Sequence, residues 1–153
     1  DSVDVAFGHD GCDARNDILA RDLTGETFKA GTGNCVVMTG KLDDPYTATT
    51  ISFTKAQATK VQIDHVIPLS YAWQMGASRW PETKRRAFAN DPLNLMAVDG
   101  PTNGAKSDSG PASWLPPNKK VRCSYAVRYA QVSRTYGLPV TSADKAMMRA
   151  QCA

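Results

Sequence analysis

Apolar residues along this chain form short runs separated by polar punctuation, and the spacing within each run predicts its element. From Asp13 to Leu23, Ala14, Ile18 and Leu19 make one stripe at helical spacing, with Asp13 placed to cap the start. Asn34 to Met38 and Thr49 to Phe53 read as strands. Asp43-Asp44-Pro45-Tyr46 supplies turn chemistry between them, which predicts an antiparallel hairpin with a long loop. A third strand is predicted over Val61 to Val66. It is followed by an insertion from Pro68 to Pro92, with short helices over Ser70 to Gly76 and Pro81 to Ala89. Leu93 to Val98 reads as a fourth strand, and Asp99-Gly100-Pro101 as the start of a helix that carries Asn103 and Lys106 on one face. Trp114-Leu115-Pro116-Pro117 predicts a packed, non-helical connector. Lys120 to Tyr136, closed by Gly137, and Ser142 to Ala150 predict two final helices.

Composition narrows the class. A chain of 153 residues with 42% hydrophobic content suits one domain around one core. No apolar run is long enough to span a bilayer. The first residues, Asp1-Ser2-Val3, are expected of a mature N-terminus from which a signal peptide has gone. The four cysteines form no C-x-x-C pair and have no histidine cluster near them, which argues against zinc. They allow three disulfide pairings. Cys12–Cys35 with Cys123–Cys152 is the favoured one, because each bond would staple one end of the chain locally. Packing the last two helices antiparallel would also bring Cys123 near Cys152. Disulfides imply an oxidising compartment, so a secreted protein is expected.

The net charge of +3 conceals an asymmetry: residues 1–63 hold six basic and nine acidic groups, residues 64–153 twelve basic and six acidic. A basic second half favours a polyanionic partner.

That second half opens on Ile63-Asp64-His65-Val66-Ile67-Pro68. His65 is one of two histidines, and it stands beside a carboxylate at a strand end. Imidazole titrates near neutrality and suits a general base. Asp64 and Asn103 offer only oxygen ligands, which suit a hard ion such as Mg2+ or Mn2+. Such an ion would neutralise a phosphodiester and stabilise its leaving oxygen. The other histidine, His9, reads as a surface or packing residue. Trp73, Trp80 and Trp114 read as core before they read as base-stacking platforms.

Asp64-His65 at a strand end, Asn94 on the next strand and Asn103 on the following helix resemble the HNH, or ββα-metal, nucleases. The likeness is closer to small secreted actinobacterial proteins of that family and extends to the HNH domain of modification-dependent restriction enzymes. Gly11 to Asn16, Asp44 to Thr47, Phe88 to Gly100 and Cys123 to Tyr125 also carry it, so it covers most of the chain. The resemblance implies an α+β fold, with a ββα-metal core over about residues 61–108, a small antiparallel sheet, and a helical hairpin over about 120–152. It implies His65 as general base and Asn94 beside it in the catalytic set, holding the histidine-bearing loop. Asp64 and Asn103 would be the metal ligands, with one divalent ion per site. Arg15 and Lys106, together with Arg85 and Arg86 of the basic run Lys84-Arg85-Arg86, would contact phosphate. Lys106-Ser107-Asp108 departs from the pattern, since similar proteins often have glycine after the lysine. The implied function is metal-dependent cleavage of DNA, with RNA open as a second substrate, leaving 5′-phosphate and 3′-hydroxyl ends. A monomer off the membrane is expected. Two rival readings are a phosphodiesterase for small molecules and a secreted binding module without catalysis.

Overall fold

A computed structural model describes residues 1–153. Its elements run α1 (Ala14–Asp22), β1 (Thr24–Phe28), β2 (Val37–Asp43), β3 (Thr50–Thr54), β4 (Val61–His65), α2 (Leu69–Met75), α3 (Glu82–Asn90), β5 (Leu95–Asp99), α4 (Gly100–Lys106), α5 (Arg122–Tyr136) and α6 (Ser142–Gln151). The architecture mixes helices with two small antiparallel sheets. One holds β1, β2 and β3 in that order, and the other is the β4–β5 pair. A 3-10 segment, Lys55–Lys60, separates β3 from β4 and so divides what one continuous sheet would join. No helix is long and apolar enough to cross a membrane.

The β4–β5 pair is covered on both faces, and strand alternation explains how. Leu95 and Ala97 of β5, with Val61 of β4, enter one core beside Ile18, Leu19, Leu23, Val37, Leu42 and Phe53. Val98, one residue out of phase, enters the other core beside Tyr46, Val66, Ile67, Phe88, Tyr125, Tyr129 and Val132, with Met96 packed at its edge. Successive side chains of a strand point to opposite faces, so one short strand serves both cores. Burial of the two sets is the main stabilising term, at about 25 cal/mol for each Å² of apolar surface.

Helix α1 locks the two sheets together. Asp13 caps it by accepting from the Asn16 amide at 2.7 Å. Asn16 then accepts from the Val37 amide of β2 at 3.0 Å, and Asp22 from the Ala97 amide of β5 at 2.8 Å. Ile18 and Leu19, the predicted stripe, are each 1% exposed. The expected disulfides are both present, Cys12–Cys35 with Cα atoms 5.2 Å apart and Cys123–Cys152 at 4.8 Å.

Three sequence expectations need correction. Strand β1 was not foreseen: Thr-Gly-Glu-Thr-Phe has no alternating apolar set, and it forms an irregular edge paired to β2. Strand β2 begins at Val37, not Asn34, because Asn34 takes a left-handed conformation (φ 59°) and Cys35 is held by its disulfide. The strand predicted from Leu93 starts at Leu95, and Asn94 belongs to the 3-10 turn Pro92–Asn94 before it.

Helix α4 ends at Ser107, whose φ of 52° and ψ of −130° lie where a side chain is strained. Replacement Ser107→Gly is expected to raise stability by roughly 1 kcal/mol, relief of strain outweighing the added freedom of the unfolded chain. An unchanged urea midpoint would show that the turn is relaxed with serine.

Near the first disulfide, the Asp17 carboxyl is pushed up from 3.8 to about 6, chiefly by burial and next by the Asp10 and Asp13 carboxylates. The folded chain therefore holds this proton more tightly than the unfolded one. Ionised Asp17 works against folding above pH 6, and the cost disappears as pH falls through 6 to below about 4. Asp17→Asn should raise Tm at neutral pH and leave it unchanged near pH 4. An equal gain at both would place its cause outside this proton.

Candidate functional site

The predicted motif gathers around an open cleft of about 490 Å³ lined by Asp64, His65, Leu69, Ser70, Asn103 and Asp108, among others. Strand β4 delivers Asp64 and His65 at its last two positions. In the antiparallel register they stand opposite Met96 and Leu95. Helix α4 follows β5 directly, capped by Asp99, which accepts from the Thr102 amide at 2.9 Å. It thereby sets Asn103 beside the same opening.

Asp64 is 5% exposed, and its two oxygens have different surroundings. Oδ2 accepts from Lys106 Nζ at 2.7 Å and from the Tyr46 hydroxyl. Oδ1 has no protein donor, and the residue lines the cleft. Burial, and then the Asp64 charge, push the Tyr46 phenol well above its ordinary range, so it remains a donor.

Lys106 is corrected by this geometry. It is fully buried, and its ammonium donates to Asp64, to the His65 carbonyl at 2.8 Å and to the Val66 carbonyl at 3.0 Å. An ammonium has three protons, and all three are used. The rings of Trp114 and Tyr125 lie 5.8 and 5.7 Å from the nitrogen and wall it off. Burial pulls its pKa down, with Asp64 opposing. Lys106 holds the strand end and has no proton to give a phosphate.

His65 Nε2 lies 2.8 Å from the Ala89 carbonyl oxygen in α3. A carbonyl only accepts, so Nε2 carries a proton and the neutral ring keeps its free lone pair on Nδ1. Burial foremost lowers the imidazole pKa, with the Ala89 bond and Asp64 opposing, which favours that neutral form.

Asn94 is fully buried and makes two bonds to one residue. Its Oδ1 accepts from the Ile67 amide at 2.8 Å, and its Nδ2 donates to the Ile67 carbonyl at 3.1 Å. The Asn94 carbonyl also accepts from the Val66 amide at 2.9 Å. Its placement in the catalytic set is therefore refined: it fixes the segment just after His65 and is shielded from anything entering the cleft.

Asn103 donates to Gln62 Oε1 at 3.0 Å, and its own side-chain oxygen has no protein partner. Gln62 was missed by sequence reading, although period two puts it on the same face of β4 as Asp64. Asp108 was also missed. It accepts from the Ser70 hydroxyl at 3.3 Å, and it reaches the cleft only because Ser107 turns the chain back after α4.

The expected phosphate contacts disperse. Arg15 donates to the Ala58 and Val61 carbonyls at 3.2 and 3.1 Å, tying α1 to the end of β4 remote from His65. Arg86 pairs with Glu82 at 3.5 Å and lines a separate hollow with Lys84, Ser2 and Val3. Arg85 donates to the Trp80 carbonyl and lies over the Trp73 ring, beside α2. Lys106 is buried on α4, and of the other three predicted cations only Arg85 lies beside a helix that lines the cleft, α2.

His9 is exposed and bonds Asp4 at 2.9 Å, as a surface residue should. Ligand atoms of Asp10, Cys12 and Asp17 lie within 4.8 Å of one another, but the Cys12 sulfur is bound to Cys35 and offers no thiolate.

Residues 13–151 match the family model described as "GmrSD restriction endonucleases, C-terminal domain". The chain is also 40% identical, over 139 residues and 90% of its length, to a protein of the fungus Arthroderma benhamiae described as an "Uncharacterized secreted protein". It spans 65% of that relative's length. With the family model covering nearly the whole domain, from the Asp13 cap to the end of α6, the chain belongs to the family of the C-terminal domain of the GmrSD restriction endonucleases.

Proposed function

We propose that this protein is a secreted, metal-dependent endonuclease of the HNH type, acting as a monomer on the phosphodiester bonds of DNA and, in principle, RNA. The observation that carries the reading is the His65–Ala89 bond. It commits one imidazole nitrogen to the backbone and leaves the other free beside the cleft, on a ring whose burial favours the neutral form. A general base needs that state.

The donor set fits a hard divalent cation. Asp64 Oδ1 and the Asn103 side-chain oxygen are both without protein donors, and both residues line the cleft. Bound there, Mg2+ or Mn2+ would offset the phosphate charge and stabilise the departing oxygen. The remaining work falls to the chain. His65 Nδ1 takes the proton of the attacking water. Asn94 keeps the His65 segment from shifting. Lys106 and Tyr46 occupy Asp64 Oδ2, so the carboxylate presents its other oxygen to the cleft. The expected products carry 5′-phosphate and 3′-hydroxyl ends.

Membership of a restriction-endonuclease family supports a nucleic-acid substrate. The secreted description of the fungal relative and the two disulfides support export.

Plasmid cleavage tests the reading directly. Purified protein should nick and linearise plasmid in Mg2+ or Mn2+ and fall silent in EDTA. His65→Ala should lose about 10²–10⁴-fold in rate, the span a general base contributes. A variant that cuts as fast as the parent would remove His65 from the chemistry.

Lys106 separates a structural cation from a phosphate contact. Lys106→Met leaves Asp64 buried without its partner and should cost about 3–5 kcal/mol of stability, read from chemical denaturation. A variant as stable as the parent, with a weaker salt dependence of DNA binding, would restore the phosphate role.

A further inference from the structure

Two of the three tryptophans are packed as the sequence predicts: Trp114 against Tyr46 and Tyr125, Trp80 against Phe88 and Tyr136. Trp73 is different. It is 53% exposed, and Leu69, one helical turn before it on α2, is 43% exposed. Residues four apart on a helix share a face, and Leu69 and Ser70 at the start of that helix line the cleft beside His65. An apolar strip therefore runs from the cleft along α2 to the indole.

The strip is flanked by positive charge. The Arg85 guanidinium lies 5.6 Å from the centre of the Trp73 ring and is anchored by its bond to the Trp80 carbonyl. Lys84 and Arg86 line the separate hollow, so Arg85 is the cation that stands beside the strip. Such a face suits a ligand that is flat and apolar in one part and anionic in another. A purely apolar partner would gain nothing from the guanidinium, and an acidic peptide would gain little from a bare indole.

We infer that Leu69, Trp73 and Arg85 form a shelf that holds an unpaired nucleobase of the strand whose phosphate enters the cleft. The inference rests on the nuclease reading above and adds a substrate preference to it. An indole stacks on any base that presents its face, and stacking of this kind contributes about 1–3 kcal/mol per base. In duplex DNA those faces are already occupied by neighbouring bases, so the shelf acts only on single-stranded or frayed nucleic acid. Arg85 meets the phosphate next to the stacked base, which is the role left to it once the other predicted cations are placed elsewhere. The protein therefore discriminates strand state and does not read sequence.

The test uses fluorescein-labelled oligo(dT) of twelve nucleotides and a duplex of twelve base pairs. Binding is followed by anisotropy, with His65→Ala protein in Mg2+ and, as a second measurement, parent protein in EDTA. Trp73→Ala should weaken oligo(dT) binding by about 5- to 150-fold and reduce the preference for single strand over duplex by a similar factor, the stacking energy converted to affinity. Trp73→Phe should retain most of that preference. If Trp73→Ala binds oligo(dT) as the parent does, or loses both ligands equally, the shelf is refuted. The hydrolase reading fails separately. A parent that binds oligo(dT) through Trp73 but cleaves nothing in Mg2+ keeps the shelf and loses the nuclease. A parent that cleaves, with binding indifferent to Trp73, does the reverse.

Discussion

Burying Lys106 and Asp64 together costs both groups their water, a loss that their mutual attraction seldom returns unless every remaining hydrogen-bonding position is filled. Here all three ammonium protons and one carboxylate oxygen are paired, while Asp64 Oδ1 has no protein donor. The ammonium takes one carboxylate oxygen and two successive carbonyls, and Tyr46 adds a second bond to the same carboxylate oxygen. The carbonyls belong to His65 and Val66, so the pair fixes the backbone at the point where β4 ends. It also determines which oxygen of Asp64 meets the cleft. The aromatic rings around Lys106 exclude solvent, which keeps the attraction strong.

The rest of the molecule holds that point still. Asn94 clamps Val66 and Ile67 from the β5 side, and β5 is itself fastened to α1 through Asp22. Ala89 approaches from the insertion and orients the imidazole. Asp64, His65 and Asn103 are thus each positioned by a group from another part of the chain, and two cores on opposite faces of β4–β5 keep those parts in register. Both disulfides lie away from the cleft, at the two ends of the chain.

Much of this was legible in the sequence wherever the determinant is local. Asp13 and Asp99 cap the helices that follow them, and Gly137 ends α5 in the left-handed conformation that glycine tolerates. The disulfide pairing followed from chain economy. The gathering of Asp64, His65 and Asn103 was legible from their spacing on strand and helix. What stayed hidden depends on distant partners or on backbone atoms. Nothing near Lys106 in the sequence announces that Tyr46 and Asp64 will enclose it, and a lone lysine on a short helix reads as exposed. The Ala89 carbonyl has no side-chain signature at all. Asp108 needed a positive φ at Ser107 that serine does not advertise. Strand β1 has almost no apolar face and is made by pairing alone.

Ala89 has a consequence through its place in α3. It lies in the last turn of that helix, Glu82–Asn90, where carbonyls have no amide further along to bond within the helix. The aligned peptide dipoles leave a partial negative charge at this end. A proton arriving on His65 Nδ1 makes the ring a cation, and the opposite nitrogen of that ring already donates into the negative pole. In the mechanism proposed above, the imidazolium would therefore be favoured by a helix macrodipole, by about 0.3–2 kcal/mol depending on burial. The insertion between the strands would act on the proposed base electrostatically as well as sterically. A shortened or unwound α3 would remove that pole together with the carbonyl that orients the imidazole.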